Sequence, residues 1–410
     1  MAILAFLFRF RVALFAVLAV ATAGAAWLAF HDLAVPVGAL FLSAASLAAG
    51  GIVAFAYLRH AALAALSVLA PLPGMIAAGP FALAGGTAVS GLLAVYGFGV
   101  VIAACLAGGL LRRMLDSSEP DAAAGAVLAR CAVPLALCLV AGVALLAGWL
   151  FRDARALGLG NAGVFAAAML SAGVVVPFAA ASLRFGEAFI VIANRARERR
   201  ETLLRILTQV VEPRWGLAFS GAAVTLAALG WFGAAPLLAH SALLAQPALW
   251  AASALLVFLF AFAAGRDWRD ALAATLALAA LTLLGLYLCG RAAGRLSAAS
   301  LVEIAVTAAT ALFLMMDLIV RGRRYRQSGE ASAVARLRAI EDCGLAPWFG
   351  TLGAAAAVLP WVLVHGSIVT LAVLFPLACA AAVVGMPALA TALETLLPRR
   401  RSVNELYGRG

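Results

Sequence analysis

The sequence predicts an all-α integral membrane protein of about twelve transmembrane helices in two six-helix pseudo-symmetric repeats. Three observations predict it: hydropathy, the placement of the arginines, and an internal duplication. Of the 410 residues 66% are hydrophobic and 11% charged, and the mean hydropathy is +1.09. So little charge cannot cover the surface of a water-soluble domain, and lipid is the solvent that suits such a chain. In lipid every backbone N–H and C=O needs an internal partner, so each long apolar run is expected to be a helix.

The apolar runs place spans at about 11–30, 38–58, 61–84, 88–111, 130–151, 163–183, 215–235, 246–264, 270–289, 298–320, 345–364 and 367–392. Only Leu58-Arg59-His60 separates the second from the third. Pro71, Pro73 and Pro80 make the third the least regular, because proline lacks the N–H that a helix interior needs. Arg9 and Arg11 ahead of an apolar run have the look of a secretory leader. The corresponding helix of the second half is internal, so an uncleaved signal-anchor is expected.

Charge placement gives an independent test. All 29 basic residues are arginines, and a cytoplasmic N-terminus puts every one of them on the inner side except Arg152, Arg155, Arg291 and Arg295. Such asymmetry is the positive-inside pattern. It explains the net charge of +11 without nucleic acid, for which no basic stripe with interleaved aromatics exists. Both termini are therefore expected in the cytoplasm of a cell bounded by an inner membrane.

The duplication organises the rest. Each half opens with an arginine entering a span, at Arg11 and Arg214, and has a tight hairpin between its second and third helices, at Arg59-His60 and Gly265–Asp270. An arginine-bearing loop follows each fourth helix, at 112–130 and 321–343, ending on Cys131 and Cys343. A proline closes each half, Pro177 and Pro387, and the offset stays at roughly 203–212 residues throughout. The expected organisation is a repeat over 1–183, a cytoplasmic amphipathic linker helix over 184–214, a second repeat over 215–398, and a tail over 399–410. The linker's apolar residues, such as Leu203, Leu204 and Ile206, suit a lipid surface.

Three segments resemble the resistance–nodulation–division (RND) superfamily, in particular its large-membrane-protein (MMPL-like) lipid-exporter branch. They are Phe260 to Leu272, similar to that family's arginine-containing hairpin; Gly290 to Gly329, similar to a fourth helix with an embedded aspartate, here Asp317, leading into an Arg-Tyr-Arg loop; and Cys343 to Leu389, similar to the closing helix pair. The resemblance implies export of a lipid or other hydrophobic molecule, with a site between the halves. The family's large extracytoplasmic porter domains are replaced here by His31 to Pro36 and Ala235 to Ser241, which implies a separate extracytoplasmic partner or an oligomer. The family's acidic pair on the fourth helix of the first half is also missing: the stretch beginning at Tyr96 has no carboxylate.

Charged groups within spans are costly, about 2.5–3.5 kcal/mol on insertion scales, and are therefore the candidates for function. Asp317 is the proton-coupling candidate, because burial disfavours an ionised carboxyl group. Arg321 lies one helical turn on, and a purely structural ion pair is the competing reading. Secondary candidates are Glu303, expected near the outer interface, and Tyr96. Glu187 and Glu394 are expected at the inner surface, and His60, His240 and His365 in loops, where they assemble no relay with a carboxylate. The six cysteines are scattered and are expected as buried small apolar residues rather than ligands.

Neither a catalytic nor a cofactor or metal motif is present, so an enzyme is not expected. Gly97, Gly99, Gly108 and Gly109 lie in a span, where close helix packing explains them better than phosphate binding. Two alternatives to the exporter stand. A major-facilitator-like carrier fits the six-plus-six plan, although Tyr57-Leu-Arg-His-Ala-Ala stands where that family has Gly-x-x-x-Asp-Arg-x-Gly. A non-transporting scaffold or assembly subunit fits the bare first half.

Overall fold

The computed structural model describes residues 37–116, 120–149, 155–182, 247–293 and 296–397, with scattered positions at 20–24 and 217–233. The described residues are helical and contain no strand. The expected span 11–30, the linker 184–214, the tail 399–410, Glu187 and His240 lie wholly or largely outside them, and the described positions of the expected span 215–235 are helical.

The helices are α1 (Val37–Leu58), α2 (Ala61–Leu69), α3 (Leu72–Ala84), α4 (Val89–Asp116), α5 (Pro120–Val143), α6 (Arg155–Ser182), α7 (Pro247–Gly265), α8 (Trp268–Ala293), α9 (Ala298–Gln327), α10 (Ser332–Cys343), α11 (Ala346–Val364), α12 (Val369–Ala380) and α13 (Met386–Leu396). Among the described residues nine helical stretches are long and apolar enough to cross a bilayer, with α2 and α3 counted as one and α12 and α13 as another. The expected span 246–264 is α7, whose apolar part Ala251–Gly265 is shorter than the rest.

One local expectation holds and two local differences from the sequence reading have simple causes. The irregular third span breaks between α2 and α3 at Pro71, as its prolines suggested. The loop expected at 112–130 is mostly helix, because α4 continues to Asp116 and α5 begins with Pro120, a residue preorganised for a helix start. The loop expected at 321–343 is helical too: α9 runs to Gln327, and α10 lies beyond Gly329, whose φ of +95° suits glycine alone.

Two helices form the centre. In α4 and α9, 83% of the apolar window is buried inside the protein, against 17% in α1. They touch each other, and each also packs across to the other half: α4 against α11, and α9 against α5. At their contact Phe98 of α4 stacks on Phe165 of α6 at 4.9 Å and meets Phe313 of α9 edge-on at 6.5 Å. Missing side chains on α4 admit its neighbours closely. A Cβ at Gly97 would lie 2.3 Å from the Phe375 ring, at Gly99 2.5 Å from Pro71, and at Gly108 2.8 Å from Ala346. Close packing is thus their role, as expected, whereas Gly109 makes only ordinary contacts.

Two junctions that the expected duplication makes equivalent differ. Helix α11 lies along α1, but α5 and α7, the matching pair under the duplication, leave a gap. It is an apolar cavity of about 330 Å³ bounded by α5, α7, α8 and α9, with Leu145, Val257, Leu278, Thr282, Ile304 and Leu312 in its wall.

Candidate functional site

Asp317 and Arg321 lie on one face of α9, a helical turn apart, where α9 meets α4 and the end of α10. Both are buried, with 4% and 8% exposure. Arg321 donates from Nη2 to Asp317 Oδ2 at 2.8 Å and from Nε at 3.0 Å; its Nη1 donates to the Asp342 carbonyl at 3.1 Å. The Cys343 thiol donates to the same Oδ2 at 3.4 Å. Asp317 Oδ1 is buried and accepts no hydrogen bond. One carboxylate oxygen is thus fully engaged by the guanidinium and the thiol, while the other is unsatisfied in a low-dielectric site. An unsatisfied buried acceptor is costly.

Glu303 departs from expectation. Instead of reaching the interface it is 5% exposed, its Oε2 accepts from Thr370 of α12 at 3.4 Å, and Ser90 of α4 also bonds its carboxylate. Fourteen residues of helix separate it from Asp317, about 21 Å of rise, so the two carboxylates form no pair. The Tyr96 hydroxyl donates to the Val68 carbonyl at 3.0 Å, which fixes the broken span against α4. All six cysteines are buried and unpaired, as expected, and no metal-ligand cluster occurs among the described residues. Among the histidines, His60 caps α2 and His365 follows α11.

Sequence reasoning missed an ion network at the arginine-rich face. Asp267 and Asp270, in the α7–α8 hairpin, hold Arg326 of α9 at 2.9 and 2.6 Å. Asp270 also receives Arg336 of α10 at 3.1 Å, and Arg336 in turn bonds Glu394 of α13. Glu394 is thereby a link between elements rather than a free surface charge. The only signal in the sequence was the pair of aspartates three apart in a hairpin. Their partners lie 56 to 66 residues away.

This helix arrangement has counterparts among solved membrane proteins. No protein-family model matches the chain, and no curated protein matches it. Among solved structures it is similar to SecDF, a translocon-associated membrane protein from Thermus thermophilus, with a TM-score of 0.61 at 11% identity over 88% of this chain and 62% of that one. It is also similar to SecDF in its super-membrane-facing form, with a TM-score of 0.56 at 13% identity and the same coverage. The chain therefore spans less than two thirds of the length of the SecDF structures. At 11–13% identity the likeness shows a shared fold and no more.

Proposed function

We propose that this chain is an RND-type transporter that moves a lipid or other hydrophobic molecule, coupled to protons through Asp317. The observation that carries the reading is the half-satisfied Asp317 carboxylate at the central α4–α9 contact. Protonation neutralises the carboxyl group, weakens its hold on Arg321 and on the Cys343 thiol, and so loosens α9 from the end of α10. Deprotonation restores the pair. Two arrangements of the central helices, each favoured by one protonation state, are the elements of an alternating cycle.

The cargo class rests on the cavity between α5, α7, α8 and α9. Its wall is almost wholly apolar, so it favours an acyl chain over a polar solute. The SecDF-like arrangement favours this reading over a major-facilitator-like carrier. By the positive-inside pattern the face carrying Arg59, Arg266 and Arg326 is cytoplasmic, with both termini there, and the membrane is a bacterial inner membrane. The short connections at His31 to Pro36 and Ala235 to Ser241 favour a separate extracytoplasmic partner protein.

A second reading has its own observation. Helix α4 has no carboxylate facing α9, which suits a scaffold that keeps the fold without pumping, including one that attends a translocon as SecDF does. Transport of a fluorescent short-chain phospholipid in proteoliposomes under an imposed pH gradient decides between them. Gradient-dependent movement that is lost in Ala308→Phe, which fills the cavity, supports the transporter. A rate independent of gradient and substitution leaves the scaffold.

A further inference from the structure

A second cavity, of about 280 Å³, opens at the arginine-rich end of the central helices. Arg112 and Arg113 of α4, Arg130 of α5, and Arg321 and Tyr325 of α9 line it, together with Asp342 from the end of α10. Its character is the opposite of the apolar cavity: four guanidinium groups face a space with a single carboxylate in its wall.

The charges inside this space do not balance. Arg321 is neutralised by Asp317 at 2.8 Å, and Arg112 lies 3.7 Å from Asp342. Arg113 and Arg130 pair with no carboxylate among the described residues. They thus leave positive charge facing the space, which favours an anion there. The site is also built rather than superficial. Arg321 is 8% exposed and held in place by Asp317 and the Asp342 carbonyl, and Arg130 sits in a membrane-spanning stretch, Ala124–Leu146. Guanidinium groups present planar forks of donors, which suit the tetrahedral oxygens of phosphate better than a small halide.

We propose that this cavity binds a phosphate-bearing anion, either free phosphate or the phosphomonoester headgroup of a lipid. Arg113 and Arg130 supply its principal charge, and Arg321 connects it to Asp317. An anion on Arg321 draws donors away from Asp317, so occupancy of this site and the charge state of Asp317 are linked.

The test is a binding measurement on the purified full chain, independent of any transport activity. Sodium phosphate is titrated against sodium chloride of equal ionic strength, by calorimetry and by thermal shift. Dihexanoyl phosphatidic acid is then titrated against dihexanoyl phosphatidylcholine. Phosphate or phosphatidic acid should bind, chloride and phosphatidylcholine should not. Arg113→Gln and Arg130→Gln should each weaken the affinity by roughly tenfold, the loss of one charge-assisted contact. Arg338→Gln, on an exposed side chain of α10, should leave it unchanged. Binding of free phosphate alone assigns the site to a soluble anion. Binding of phosphatidic acid with no response to free phosphate assigns it to a headgroup. Equal responses to phosphate and chloride, or wild-type affinity in an Arg113→Gln/Arg130→Gln double variant that unfolds at the wild-type temperature, overturn the proposal.

Discussion

The hairpins Arg59-His60 and Arg266-Asp267 share a backbone and differ in charge. In both an arginine adopts left-handed geometry, with φ of 52° and 56°, after its N–H has closed the preceding helix on Phe55 and Phe262 at 2.8 and 2.7 Å. In both the next residue turns its side chain to a backbone N–H of the following helix: His60 Nδ1 accepts from Leu63 at 3.3 Å, Asp267 Oδ1 from Arg269 at 3.0 Å. The first hairpin uses an imidazole for its cap. The second uses a carboxylate for its cap, and Asp267 with Asp270 then gathers Arg326, Arg336 and, through Arg336, Glu394. One turn geometry carries a neutral histidine cap at the first hairpin and the anchor of an ion network at the second.

The largest expected effect breaks that network. Asp270 is 2% exposed and bonds two arginines, so Asp270→Asn leaves Arg326 with Asp267 alone and Arg336 with Glu394 alone, and the two lost charged hydrogen bonds cost about 3 kcal/mol. A clearly lower unfolding midpoint in detergent is expected, and an unchanged one would make the two hairpins equivalent. A smaller effect tests the matching contrast between the central helices, small residues on α4 against polar ones on α9. Gly97→Ala forces the Phe375 ring to move and should lower stability by about 1–3 kcal/mol, with Phe375→Leu restoring part of it.

Smaller still is the strain that both hairpins hold. Arg59 is exposed in left-handed geometry, so Arg59→Gly should raise stability by about 1 kcal/mol, read as a higher midpoint. The smallest effect is specific to the first hairpin. Burial pushes the His60 imidazole below its ordinary value of 6.5, and its cap requires an unprotonated Nδ1. The cap's contribution, about 0.5–1 kcal/mol, is thus fully present above pH 6.5 and is lost as the pH falls below it. His60→Asn should keep the cap and flatten that part of the stability–pH curve.

Much of this was legible in the sequence because the signals are local. Apolar length marked the spans from 38–58 to 367–392, prolines marked the break at Pro71, and the spacing of Asp317 and Arg321 placed them on one face. What escaped depended on which helix packs where. Nothing near Glu303 announces that Thr370 and Ser90 will enclose it, and nothing near Asp270 announces Arg336. The segment 321–343 read as an arginine-bearing loop, whereas in the structure Arg321, Arg326 and Arg336 face inward and helical order extends to Cys343. The gap between α5 and α7 was equally hidden, since the duplication suggests equivalent junctions and only packing reveals that one is open.

Proton movement in proteoliposomes, followed with an entrapped pH dye and compared among wild type, Asp317→Asn and Asp317→Glu, tests the central claim most directly. The account expects flux in the wild type, none in the asparagine variant, and partial flux in the glutamate variant, with all three folded. Equal flux in wild type and Asp317→Asn would contradict it and leave Asp317 and Arg321 as a structural ion pair.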